Sequence, residues 1–216
     1  MPFQPIEMSA WKRRSYFEHF LNTVPCGYSA TTDLDITRLA NALKTGGFKS
    51  YPALIHALCT IVNRHAAFRT AFGASGEPGI WDDMHPAYTI FSAKHETFSS
   101  IWTEYHADFT VFHERYLHDC GRFADIPELF PKPDTPENVF PISSLPWVPF
   151  TAFNLNVQST SPYLLPIFTF GKFRKDGKAI TVPLSSQVHH AVCDGYHLGQ
   201  FLQDLQNHLN EPEHWL

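Results

Sequence analysis

The chain has 216 residues, 44% of them hydrophobic and 15% aromatic, with a formal net charge of -5. This composition supports one sizeable core and excludes a disordered chain, while the acidic balance argues against nucleic acid or an anionic membrane as a partner. Small molecules are the expected ligands.

No Gly/Ser/Pro-rich linker divides the sequence, so residues 1–216 read as a single domain. Cys26, Cys59, Cys120 and Cys193 are scattered without the paired spacing of a metal site, and residues 1–5 lack the apolar run of an export signal. Reduced thiols in a cytoplasm are the expectation. The longest mainly apolar stretches, near 52–62 and 163–173, are too short and too interrupted to cross a bilayer. No repeat of fixed period is present.

In chain order, an amphipathic helix is expected after Asp35, with Ile36, Leu39 and Leu43 on one side and a stop at Gly46-Gly47. A second starts near Pro52, where a first-turn proline is tolerated, and Leu54, Ile55, Leu58, Cys59, Ile61 and Val62 make it apolar nearly all round, as suits a helix laid on a sheet. Short strands are expected at 68–72 and 88–92. Trp102, Tyr105, Phe109, Phe112 and Tyr116 recur every three or four residues, a core stripe. The Pro-rich stretch 127–149 reads mainly as loop. Strand patterns then fill 148–157, 165–175 and 179–190, the last two joined by the turn pair Asp176-Gly177. The sum is an α/β fold of the α+β sandwich kind: a largely antiparallel, mixed β-sheet with flanking α-helices.

Chemistry is densest in residues 187–197, Gln-Val-His-His-Ala-Val-Cys-Asp-Gly-Tyr-His. The run before it reads as a strand, and Leu198, Phe201, Leu202, Leu205 and Leu209 after it fall at helical spacing, so the cluster occupies a strand-to-helix junction. A neutral imidazole there can take a proton from a substrate hydroxyl and return it. Alternation sends His189 and His190 to opposite faces, one toward a cleft and one toward structure, and spacing alone does not say which. Asp194 reads either as an N-cap for the following helix or as the partner of a cation that fixes the loop, and Gly195 as a site of close backbone approach or unusual dihedral. Cys193 is a nucleophile type beside histidine, and His189, His190, Cys193, Asp194 and His197 are zinc-ligand types, although their spacing matches no usual zinc signature.

The segment from His189 to His197 resembles the His-His-x-x-x-Asp-Gly signature of the chloramphenicol O-acetyltransferase family. Trp11-Lys12-Arg13, Leu34-Asp35-Ile36-Thr37, Tyr51-Pro52-Ala53, residues 96–100, Leu145-Pro146-Trp147-Val148 and residues 153–157 resemble landmarks of that family in the same order, so the resemblance covers almost the whole chain. It implies direct transfer of acetyl from acetyl-coenzyme A, a co-substrate and not a bound cofactor, to the C3 hydroxyl of chloramphenicol, by a homotrimer whose sites lie between subunits. By the same resemblance His190 is the catalytic base, Ser143 the oxyanion donor with Ser144 competing for that alignment, and Asp194 and Arg13 a structural ion pair. Phe20, Cys26, Phe98, Phe130, Phe153 and Leu155 would line the antibiotic pocket, Tyr51 and Trp147 the coenzyme A tunnel, and Thr169 would hold a water near the reacting centre. Phe173 stands where many relatives have a tyrosine that can help hold coenzyme A, and Pro149 stiffens a strand that usually has no proline there.

With Asp176-Gly177 as the turn, Thr169 should pair near Leu184, six residues short of His190, so the hairpin alone cannot unite the two; the trimer that the resemblance implies, with its sites between subunits, can. The rivals are a binding protein that sequesters a hydrophobic antibiotic without turnover, and a zinc-dependent hydrolase.

Overall fold

The computed structural model describes residues 2–157 and 162–216; Met1, the first residue of the stretch read for an export signal, lies outside the described residues. Ten strands are described: β1 (Phe3–Pro5), β2 (Gly27–Asp35), β3 (Thr70–Phe72), β4 (Pro78–Trp81), β5 (His85–Ser92), β6 (Thr97–Trp102), β7 (Val139–Ser144), β8 (Ile167–Phe170), β9 (Arg174–Asp176) and β10 (Ala179–His189). The α-helices are α1 (Arg14–Glu18), α2 (Thr37–Gly46), α3 (Ser50–Val62), α4 (Phe109–Phe123) and α5 (Gly195–Asn210). The main sheet has the order β2-β10-β8-β7-β5-β6, with β9 also on β10, and a small antiparallel sheet has the order β1-β4-β3. Among the described residues only the pairs β5–β7 and β7–β8 are parallel, so the sheet is mixed and largely antiparallel, as expected.

The helices form where the local chemistry allows. In α2, Leu39 and Leu43 point inward and Gly47 closes the helix in the left-handed conformation (φ 73°), which costs a glycine nothing. In α3 every residue from Pro52 to Cys59 is buried, because the helix lies between the sheet and its neighbours α4 and α5. Leu198, Phe201, Leu205 and Leu209 of α5 pack inward, and Phe201 stacks on Phe68 at 4.1 Å. Side chains alternate across the central strands. Ile142, Phe168, Phe170, Val182, Leu184 and Val188 are buried in the core. Ser143, Thr169 and Ser185, together with Gln187 and His189, therefore share the opposite face.

Three expectations need correction. Residues 148–157 form no strand: Pro149 has no N–H for a ladder, and the segment is irregular chain. The stretch 165–175 is two strands rather than one, because residues 171–173 outnumber their opposite partners 182–183 and break the ladder as a bulge does. The Pro-rich stretch 127–149 contains β7; Pro141 is accommodated because pairing with β8 starts only at Ile142. The aromatic stripe is core, as expected, for Phe109, Phe112 and Tyr116, which are buried on α4, and for Tyr105, which packs against them; Trp102 ends β6, and Asp108 caps α4 by accepting the Val111 N–H. A helical period across a strand-loop-helix passage was coincidental.

Candidate active site

At the end of β10 the chain turns sharply into α5. Asp194 does both things its position allowed. Its Oδ1 accepts the N–H groups of Tyr196 and His197 in a capping box, and His197 Nδ1 lies 2.7 Å away. Its Oδ2 accepts from Arg13 Nη1 at 2.6 Å, and Arg13 Nη2 reaches the His190 carbonyl at 3.4 Å. Burial, the largest single influence on Asp194, works to raise its pKa; the hydrogen bonds from Arg13 and His197 and their charges together outweigh it and bring it down to about 2. The carboxylate thus remains ionised and clamps the loop to the residue just before α1. Gly195 plays neither role expected of it, since its φ is ordinary and a Cβ there would meet nothing within 4 Å.

The His190 ring stacks on Phe20 at 3.9 Å with an interplanar angle of 15°, meets Tyr28 edge-on at 5.4 Å, and its backbone N–H donates to the Cys26 carbonyl. Its Nδ1 is buried and without a partner. His189 faces the other way: its Nδ1 accepts the Ala191 N–H at 3.2 Å, and burial followed by the nearby His190 lowers its pKa. Beside them is a cavity of about 490 Å³ lined by Leu21, Cys26, Tyr28, Leu155, Gln187 and His189. Within one chain the histidine on this wall is His189, with His190 behind it against Phe20. The Cys193 thiol is 1% exposed and pushed up to about 12, mainly by burial, which makes it a poor nucleophile. The zinc-ligand types do not converge: among the described residues no three His, Cys, Asp or Glu side chains are placed to hold an ion.

A second cavity, about 870 Å³, opens at the end of β7 and contains Ser143, Ser144, Tyr51, Trp147, Phe173 and Phe98. Trp147 packs edge-on against Phe91 at 4.9 Å. The residues singled out from the sequence therefore fall into two groups. Phe20, Cys26 and Leu155 gather near His190, whereas Ser143 and the residues expected along the coenzyme A tunnel gather at the other cavity, with Phe98. Phe153, on the irregular segment, and Thr169, buried mid-sheet, line neither cavity. Phe130 is 67% exposed, Trp147 56% and Phe98 50%.

Register measures the separation. Ser143 pairs with Thr169, and Thr169 with Ser185, one residue away from the Leu184 expected of a plain hairpin because of the extra residue at 171–173. His190 lies five residues beyond Ser185, about 16 Å along the strand at about 3.3 Å per residue, and two strand spacings of about 4.8 Å across from Ser143. One chain does not bring the two side chains to a common atom.

Sequence reasoning missed Gln187, which lines the cavity with Leu155, and Tyr28, which flanks His190. The signal for Gln187 was available in the alternation of Ser185, Gln187 and His189. For Tyr28 there was none, because its approach depends on β2 pairing with β10.

The chain is similar to known proteins over most of its length. Residues 1–206 match the family model described as chloramphenicol acetyltransferase. A chloramphenicol acetyltransferase of Clostridium perfringens is 47% identical over 216 residues, covering 100% of this chain and 99% of that relative, and one of Staphylococcus aureus is 46% identical over 207 residues, covering 96% and 99%. A solved chloramphenicol acetyltransferase superposes with a TM-score of 0.84 at 20% identity, covering 96% of this chain and all of that one, and the dihydrolipoamide acetyltransferase of Azotobacter vinelandii with 0.64 at 18%, covering 85% and 81%. The fold is that of the coenzyme A-dependent acyltransferases. The chain belongs to the chloramphenicol acetyltransferase family.

Proposed function

We propose that the protein transfers acetyl from acetyl-coenzyme A to the C3 hydroxyl of chloramphenicol and so confers resistance to it, as a homotrimer whose active sites are completed between subunits. The buried Nδ1 of His190 leaves Nε2 to face the substrate. Nε2 takes the hydroxyl proton as that oxygen bonds to the thioester carbonyl carbon, and the carbonyl electron pair moves onto oxygen. The Ser143 hydroxyl donates to that oxyanion, a contribution of about 2.7 to 4 kcal/mol for one such donor. As the tetrahedral intermediate collapses, the C–S bond breaks and the departing thiolate recovers the proton from the imidazolium. The reading has no acetyl-enzyme, and the buried, poorly acidic Cys193 thiol supports that direct route.

Arg13 and Asp194 act by fixing the loop that carries His190, and Thr169 by holding a water near the reacting centre. Phe20, Cys26, Phe98, Phe130, Phe153 and Leu155 form the drug pocket, and Tyr51, Trp147 and Phe173 the coenzyme A channel. The single observation that carries the intersubunit site is the gap between Ser143 and His190 on one sheet, which a second copy must close. The four cysteines are all free, which suits a reducing cytoplasm, and among the described residues no helix is long and apolar enough to cross a membrane.

The test is thiol release from acetyl-coenzyme A with and without chloramphenicol, in the wild type and in His190→Ala. Drug-dependent release that the substitution abolishes is the expected result. Equal release in both overturns the base assignment, and drug binding without release favours sequestration. Sedimentation of a fully active monomer would remove the shared site.

A further inference from the structure

The irregular segment 145–157 carries Trp147, Phe153 and Leu155 but has no place in the ladder of the sheet. Two of its residues, Pro146 and Pro149, have no N–H to offer a neighbour. Side chains of the sheet hold it instead. Arg174 Nη2 donates to the Phe150 carbonyl at 2.7 Å while its Nη1 pairs with Asp33. Ser185 Oγ donates to the Phe153 carbonyl, and the Leu155 N–H donates to Gln187 Oε1 at 2.8 Å.

The last two contacts form a pattern. Ser185 and Gln187 are two apart in β10 and share a face, and the groups they hold are also two apart, advancing in the same direction. The segment therefore runs parallel to β10 across that face, at a spacing matched residue for residue. Two residues past Gln187 the same face presents His189 to the cavity that Leu155 lines, and one residue further the strand delivers His190.

We infer that Ser185 and Gln187 are positioning residues that hold the apolar wall of the acceptor pocket in register with the strand delivering the base, and so set affinity for the acceptor without touching the reacting atoms. This rests on the proposed function, which takes Phe153 and Leu155 as part of the drug pocket. Ser185 is almost wholly buried, at 2% exposure, so its hydroxyl has no water to turn to and the bond to Phe153 is its way of being satisfied. Gln187 offers an acceptor where the neighbouring Val188 and His189 backbones are already engaged with β2. Without it the Leu155 amide loses its partner, and a wall that no ladder supports is free to shift.

Steady-state kinetics on purified protein distinguishes this role from a general structural one. Gln187→Met, close in length but without the amide acceptor, should raise the KM for chloramphenicol about fivefold, the worth of one ordinary hydrogen bond, while the KM for acetyl-coenzyme A keeps its wild-type value. Gln187→Glu keeps an acceptor at the same reach and should return the drug KM toward wild type. Ser185→Ala should move the drug KM in the same direction as Gln187→Met, and serves if that variant folds poorly. An unchanged drug KM, or a parallel rise in both KM values with a loss of melting temperature, overturns the inference. A wild type without drug-dependent thiol release would instead defeat the proposed function, so the two failures are separable.

Discussion

Histidines gather in two places in this molecule, and their surroundings make them different groups. Between α3 and α5, the Trp215 ring lies between His56 at 5.5 Å and His208 at 4.8 Å, both nearly parallel to it, and Tyr105 extends the stack beyond His56. His56 Nε2–H donates to the His106 carbonyl at 3.0 Å, and burial leads the influences that lower both imidazoles to about 4. They are neutral aromatic spacers. At the other place, the end of β10, Arg13 pairs with Asp194 and reaches the His190 carbonyl, and the half-buried His190 ring stacks on Phe20. One pair of imidazoles is packed between aromatic rings and the other imidazole is carried on a loop clamped by an ion pair, so the density of histidines in a sequence is not enough to find a base.

The comparison can be broken first by activity. His190→Ala should lower kcat by about a thousandfold or more with little change in melting temperature, whereas His56→Ala should leave kcat near wild type. Ser143→Ala should lower kcat about a hundredfold with the KM values unaltered, the signature of a bond made only in the transition state. Stability should order the two places the other way. His56→Ala opens a hole in the core and should cost about 2 to 3 kcal/mol in denaturant unfolding. Arg13→Met should cost about 1 to 2 kcal/mol, less than a fully buried pair would, because the side chains of Arg13 and Asp194 are 17% and 33% exposed.

Acid separates the places most finely. The folded pKa values of His56 and His208 are depressed to about 4, so the unfolded chain binds their protons first. Each contributes stability above the ordinary 6.5 that is lost as pH falls toward 4, at up to about 1.4 kcal/mol per pH unit. Asp194 is also depressed, to about 2, so its contribution is intact above the usual 3.8 and is lost only as pH falls through about 2. A melting series against pH should fall first between 6.5 and 4, with a shallower slope in His56→Gln. Arg13→Met should alter only the decline below 4.

Elements whose signal is local were legible in the sequence. The amphipathic pattern of α2, the apolar run of α3, the spacing of α5 and the Asp176-Gly177 turn, where Gly177 has φ 57°, all depend on neighbours within a few residues. The cap at Asp194 was legible for the same reason. The elements that were misread depend on distant partners: β7 is a strand because β5 and β8 flank it, and residues 148–157 are not one because no ladder accepts them.

The sequence by itself determined the class of fold, the family and the junction at which the chemistry is concentrated, because periodicity, caps and motif order are properties of adjacent residues. Only the tertiary structure decided that Ser143 and His190 stand far apart on one sheet, that His189 rather than His190 lines the single-chain cavity, and that Ser185 and Gln187 hold an irregular wall in place. Those are matters of strand order, register and which face a side chain takes, and they are set by pairing between residues far apart along the chain.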